Sequence, residues 1–114
     1  MSFLSEKDAE TLERMLDISR KIQVFAQPVS GWEELTEDEL RLDAILMNFI
    51  NLGECVSRLS QDMIAGTPSV EWRKIKGMRN IVAHDYWGVD VEMVWQIVQD
   101  WLPNFSDEIS RLLK

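Results

Sequence analysis

The residues with chemical capacity in this chain crowd into one short stretch. His84 is the only histidine, Tyr86 is the only tyrosine, and Arg79 lies five residues before His84. Histidine is the side chain whose ordinary charge change falls nearest neutral pH, which suits it to passing protons. Arginine carries a planar fork of donors that matches a phosphate or a carboxylate. Arg73, Lys74, Lys76 and Arg79 place four positive charges in seven residues with no acid among them. A phosphodiester could meet the side that carries Arg73, Lys76 and Asn80. Each residue also has a plainer reading. Arg79 can pack its stem and send its head to solvent or a carboxylate. His84 can serve as a favourable charge at a helix C-terminus. Tyr86, next to Trp87, can be a half-buried packing residue with a wet hydroxyl, or an exposed hydroxyl that accepts a modification. The basic run can be a solvated helix face. One histidine, Cys55 and scattered carboxylates do not make a metal-ligand set.

Helices must position these residues. Ser5 is a plausible N-cap for a segment running to about Ala26, with Glu6 and Asp8 in its first turn and Leu12, Met15, Ile18, Ile22 and Phe25 at helical spacing. Gln27 to Glu34, with Pro28 and Gly31, reads as a loop. A long second segment is expected from Thr36, paired with Glu39 as a capping box, to Ala65. Its stripe runs Leu42, Ile45, Phe49, Leu52, Val56, Leu59 and Met63, while Met47, Ile50 and Glu54 lie on a second face. A third segment spans Ser69 to His84, with Trp72, Ile75, Val82 and Ala83 on the core face and Arg79 inside that face. A fourth starts at Asp90 and carries Val94, Ile97, Val98, Trp101 and Leu102 toward Pro103, where a bend is expected before a last piece from Asp107 to Leu113. No segment alternates with period two. The expectation is an all-α, four- to five-helix up-down bundle occupying residues 1–114 as a single domain.

Composition narrows the function classes. The 114 residues carry 12 Lys and Arg against 20 Asp and Glu, a net charge of −8 that excludes a protein coating nucleic acid by bulk charge. A lone cysteine excludes an internal disulfide. Met1 to Glu10 has neither a basic nor an apolar leader region, and no apolar run is long enough to span a bilayer, so the expected compartment is the cytoplasm, with no membrane partner.

Arg79-Asn80-Ile81-Val82-Ala83-His84-Asp85-Tyr86 fits the pattern R-x4-H-x-Y. Arg41-Leu42-Asp43-Ala44-Ile45 with Leu52-Gly53-Glu54, the approach from Trp72 to Asn80, and Trp87-Gly88-Val89-Asp90 through Trp95 accompany it. With these flanks the chain resembles the HepT-like branch of the HEPN superfamily over most of its length. Cys55 stands where that family often has alanine.

The resemblance implies a helical bundle that forms a homodimer, with the R-x4-H motifs of two chains sharing a cleft. It implies a metal-independent endoribonuclease, without cofactor, that acts on RNA such as tRNA or mRNA. Such a protein is the toxin of a type VII-like toxin–antitoxin system, and an MNT-type nucleotidyltransferase beside it is the antitoxin. Arg79 and His84 would be catalytic, Asn80 would support the motif, and Tyr86 would accept AMP from the nucleotidyltransferase. Arg73, Lys74 and Lys76 would bind RNA. Glu54 would pair with Arg79 or border the cleft, or else be a solvated carboxylate. The competing expectation is a non-catalytic HEPN partner that holds a nucleotidyltransferase or a nucleotide.

Overall fold

The computed structural model describes residues 4–114; Met1 to Phe3, the first part of the stretch read for a leader, lie outside the described residues. Those residues form α1 (Glu6–Ala26), α2 (Trp32–Glu37), α3 (Glu39–Val56), α4 (Gln61–Gly66), α5 (Trp72–His84), α6 (Val91–Gln96), a π-helical turn (Ile97–Trp101) and α7 (Leu102–Leu112). There is no strand among them, and the all-α bundle expected from the sequence is what forms.

α3 is the central helix. It packs against α1 on one side and α5 on the other, while α7 packs against α1. Phe49, Leu52, Leu12, Met15, Ile75, Leu102 and Phe105 are almost completely buried in one cluster drawn from these four helices. Trp72 at the start of α5 meets Phe105 edge-on, and Trp101 stacks on the same ring at 4.8 Å. These contacts close the bundle between α5 and α7.

Several helix limits are set by single side chains. The Ser5 hydroxyl accepts from the Asp8 amide, as its N-cap role requires. Asp90 does the same for α6 by accepting from the Met93 amide.

Segment two is a correction. It is not one helix from Thr36 to Ala65 but three pieces. The capping box at Thr36 does not form, because the Thr36 hydroxyl donates to the Trp32 carbonyl inside α2. Asp38 caps α3 instead, accepting from the Arg41 amide and forming an ion pair with its guanidinium, which also donates to the Phe25 carbonyl near the end of α1. The expected loop from Gln27 to Glu34 therefore gives way to α2 at Trp32. At the far end, Ser60 caps α4 through the Met63 amide, and its own N–H and hydroxyl donate to Asp8. That long-range tie fixes the chain direction between Val56 and Gln61. Leu59 and Met63 remain buried across the break, so the apolar stripe continues through it.

Ala83 is also a correction: it is exposed, and Met78 takes the expected place in the core. α5 starts at Trp72 rather than Ser69, after a turn in which the Trp72 indole donates to the buried Thr67 hydroxyl. Pro103 does not end the last helix. The π turn immediately before it, closed by the Leu102 amide on the Ile97 carbonyl, carries the chain past the proline into α7.

Asp8 links the first helix to the break that follows α3. Burial of its carboxyl pushes its pKa up and is the largest single influence, but the hydrogen bonds from Ser60 and Ser5 and the charge of Lys7 together hold it below 3.8. A depressed carboxyl stabilises the fold above its unfolded value and loses that contribution as pH falls through the folded one. Asp8→Asn should therefore cost about 1.5–3 kcal/mol in urea denaturation at neutral pH, the range for hydrogen bonds to a charged group. The gap between wild type and variant should narrow as pH drops below 3.8. A gap that stayed constant with pH would show that the carboxylate charge is not what Ser60 reads.

Candidate active site

α3 and α5 run antiparallel, and two contacts fix their register. The first is at Gly53. A Cβ on Gly53 would lie 2.7 Å from the Arg79 Cγ and closer still to its Cβ, so only glycine lets the two backbones approach this far. This approach sets the root of Arg79 directly on α3. Its head then bends along α3 to the next residue. Nε donates to Glu54 Oε1 at 2.8 Å, and Nη2 lies 2.7 Å from the same oxygen. Nη1 donates to Asn80 Oδ1 at 3.1 Å. Arg79 is therefore half-buried at the margin of the core, with its charge compensated, and not inside the apolar face as its position on the helical wheel implied.

The second contact is at Tyr86, just past the end of α5. Its hydroxyl donates to Asp43 Oδ1 at 2.9 Å, and its ring meets Trp87 edge-on at 5.5 Å. Burial raises the Tyr86 pKa most, followed by the hydrogen bond to Asp43 and then the Asp43 charge. The turn that presents Tyr86 is closed by Asp85, whose carboxylate accepts from the Gly88 amide.

His84 is the last residue of α5 and is exposed. Among the described residues it makes no hydrogen bond or ion pair, so its imidazole is uncommitted within one chain. It follows Asn80 by one helical turn, so the two share a face of α5. With Tyr86 opposite Asp43 and Arg79 opposite Gly53 and Glu54, the register sets His84 level with the stretch of α3 around Met47. Met47 and Ile81 are about half exposed, and Trp87, beside Tyr86, and Leu40, in the first turn of α3, are more so.

The structure thus joins Arg79, Asn80 and Glu54 by direct bonds and holds Tyr86 in a separate bond to Asp43. It does not gather the basic run onto one surface. Lys74 sits 5.4 Å from the Trp101 ring centre, toward the π turn. Arg73 and Lys76 instead line a groove beside α4, with Ser57 and Gln61. Sequence reasoning missed Asp43 as the tyrosine's partner. Its spacing from Glu54 along α3 is a readable signal, but the partner lies 43 residues away. Among the described residues, no group of three or more His, Cys, Asp or Glu is placed to hold a metal ion.

The profile of the family described as "Ribonuclease HepT-like" matches residues 15–112. The chain belongs to the HepT-like ribonuclease family. A Methanocaldococcus jannaschii protein designated an RNase is 30% identical over 83 residues, covering 73% of this chain and 69% of that protein. A second RNase-designated protein of the same organism is 24% identical over 107 residues, covering 93% of this chain and 97% of its own. The Thermococcus cleftensis protein designated ribonuclease HepT is 25% identical, covering 90% of this chain and 93% of its own. No solved structure gives a significant match. In this HepT-like chain, no helix among the described residues is long and apolar enough to cross a membrane.

Two substitutions probe how the motif arginine is held. Gly53→Ala must push α5 away from α3, and should cost about 1–3 kcal/mol by urea denaturation, the usual range for overpacking. Glu54→Ala breaks a half-exposed ion pair and should cost less than about 1 kcal/mol. If Gly53→Ala proved as mild as Glu54→Ala, the close approach of the helices would not be a constraint.

Proposed function

We propose that this chain is an endoribonuclease that works without a metal, as the toxin of a type VII-like toxin–antitoxin pair. The observation that carries the reading is the arrangement on α5 of a HepT-like chain: Arg79 held in place by Glu54 and Asn80, with His84 exposed and uncommitted near the end of the same helix.

RNA supplies its own nucleophile, the 2′-hydroxyl. Cleavage requires three services: removal of that proton, stabilisation of the negative charge on the phosphorane, and protonation of the departing 5′-oxygen. An imidazole can do the first or the last. Arg79 can do the second, since a guanidinium has five N–H donors and only some are committed to Glu54 and Asn80.

One histidine cannot act as base and acid in the same turnover without an exchange of protons. A homodimer resolves this by bringing two copies of His84 to one cleft. The exposed Met47 and Ile81 side chains, level with the site, supply apolar area for such an interface. The bond that breaks is P–O5′, the bond that forms is P–O2′, and the product ends in a 2′,3′-cyclic phosphate.

The antitoxin in this reading is an MNT-type nucleotidyltransferase that moves AMP from ATP to the Tyr86 oxygen, releasing pyrophosphate. Tyr86 must first give up its bond to Asp43. The added phosphate then places negative charge and bulk at the end of α5 and disfavours RNA there.

Arg79→Ala and His84→Ala should each lower the cleavage rate by at least about 100-fold, the lower range for loss of a transition-state charge donor and of general acid–base help respectively. Circular dichroism and melting should stay close to wild type, because His84 is exposed and Arg79 half-exposed. Products should carry 2′,3′-cyclic phosphate ends by mass spectrometry, with or without EDTA. Abolition of cleavage by EDTA, or normal cleavage by His84→Ala, would overturn the mechanism. In cells, coexpression with the nucleotidyltransferase should add AMP mass to the wild-type chain and none to Tyr86→Phe.

A further inference from the structure

A groove of about 410 Å³ runs between α1 and α3 and has the Arg79 partner, Glu54, in its wall. Its α1 wall carries Arg14 and Lys21, and its α3 wall carries Asn48 and Asn51, with Arg58 just beyond the helix end. We propose that this groove is the path of the single-stranded RNA that flanks the cleavage point, with Arg14, Lys21 and Arg58 as its phosphate contacts.

Three observations support the assignment. First, the cations are uncommitted. Arg14, Lys21 and Arg58 are exposed, and none forms an ion pair among the described residues, whereas Arg41 and Arg79 do. Asp17, the groove's other acid, pairs with neither of its α1 neighbours, and Glu54 is already bonded to Arg79. The groove is thus locally positive in a chain of net charge −8. Such a contrast confines phosphate to one track instead of spreading it over the surface.

Second, the cations converge from two helices. Arg14 from α1 and Arg58 from the chain past α3 line the same groove as the buried Cys55. Burial raises the Cys55 pKa, Arg58 and then Arg14 lower it, and Glu54 raises it.

Third, the spacing suits a strand and not a single ion. Arg14 and Lys21 are two helical turns apart, which is about 10 Å at 1.5 Å per residue. The amides of Asn48 and Asn51 can both donate and accept hydrogen bonds, as sugar hydroxyls and base edges require. The side chain of Asn48 donates to the Ala44 carbonyl at 2.7 Å, which holds it in place on the wall. The basic run from Arg73 to Lys76 offers no comparable track, because Lys74 turns toward Trp101 while Arg73 and Lys76 face α4.

This inference rests on the ribonuclease reading, but binding tests it apart from cleavage. The probe is a short single-stranded RNA with 2′-O-methyl groups, which cannot be cut by 2′-oxygen attack. Binding is followed by fluorescence anisotropy as salt is varied. Removing one phosphate-binding cation should flatten the slope of log K against log salt by about 0.7, so Arg14→Gln/Lys21→Gln/Arg58→Gln should reduce it by about 2. A control, Lys7→Gln/Arg20→Gln/Arg111→Gln, removes the same charge from outside the groove and should change the slope far less. On natural RNA the groove variant should raise KM with kcat little changed.

Equal effects in the two triple variants, or a groove variant that binds as wild type does, would overturn the groove. Failure of wild type to bind the probe would overturn it as well. A flatter slope in the groove variant alone, together with no cleavage of natural RNA by wild type, would support the groove and sink the catalytic reading.

Discussion

The site depends on one steric permission: α3 and α5 touch at Gly53. Without a Cβ there, the backbone of α5 comes close enough for Arg79 to rest its stem on α3 and turn its head to Glu54. Together with the Tyr86–Asp43 bond, that approach fixes the register of α5 on α3. His84, the last residue of α5, is exposed. A helix carrying an arginine toward its neighbour normally faces a desolvation cost. Here the cost stays low because the head is half-exposed and shared between Glu54 and Asn80.

The same arrangement explains why a strongly acidic chain can belong to a ribonuclease family. Bulk charge repels RNA, so affinity must be local. Positive charge is distributed over α1, α5 and the end of α3, and among the described residues only Arg41 and Arg79 form ion pairs. Arg79, the one motif cation, is paired to an acid and not left free. An ion pair of this type holds the guanidinium in one orientation while leaving donors for a ligand. Glu37, Glu39 and Asp43 line the pocket beside Tyr86, a patch of opposite sign.

Much of the architecture was legible from single residues. Ser5 and Asp90 cap the helices they were expected to cap, and the apolar periodicity of α1, α3 and α5 gives the right core with few exceptions. The failures have two causes. Leu59 and Met63 continue the apolar period of α3, yet the chain breaks between them and Val56 because Asp8, from another helix, captures both donors of Ser60. Thr36 and Glu39 have the spacing of a capping box, but Asp38 is better placed and is reinforced by Arg41. In the first case a local pattern yields to a contact 52 residues away; in the second it yields to a competing local pair, Asp38 with Arg41 three residues on.

The sequence by itself determined the chemistry available: one histidine, one tyrosine and an arginine on a helical repeat, in a chain whose periodicity admits only helices. It also determined the family, because R-x4-H-x-Y and its flanks lie in continuous stretches. Tertiary structure decided how those residues are held. The partners Glu54 for Arg79 and Asp43 for Tyr86 lie 25 and 43 residues away, and the dispersal of the basic run depends on which neighbour each side chain meets. Spacing along one helix reports which residues share a face. Only the packing of a second helix against that face reports what they touch.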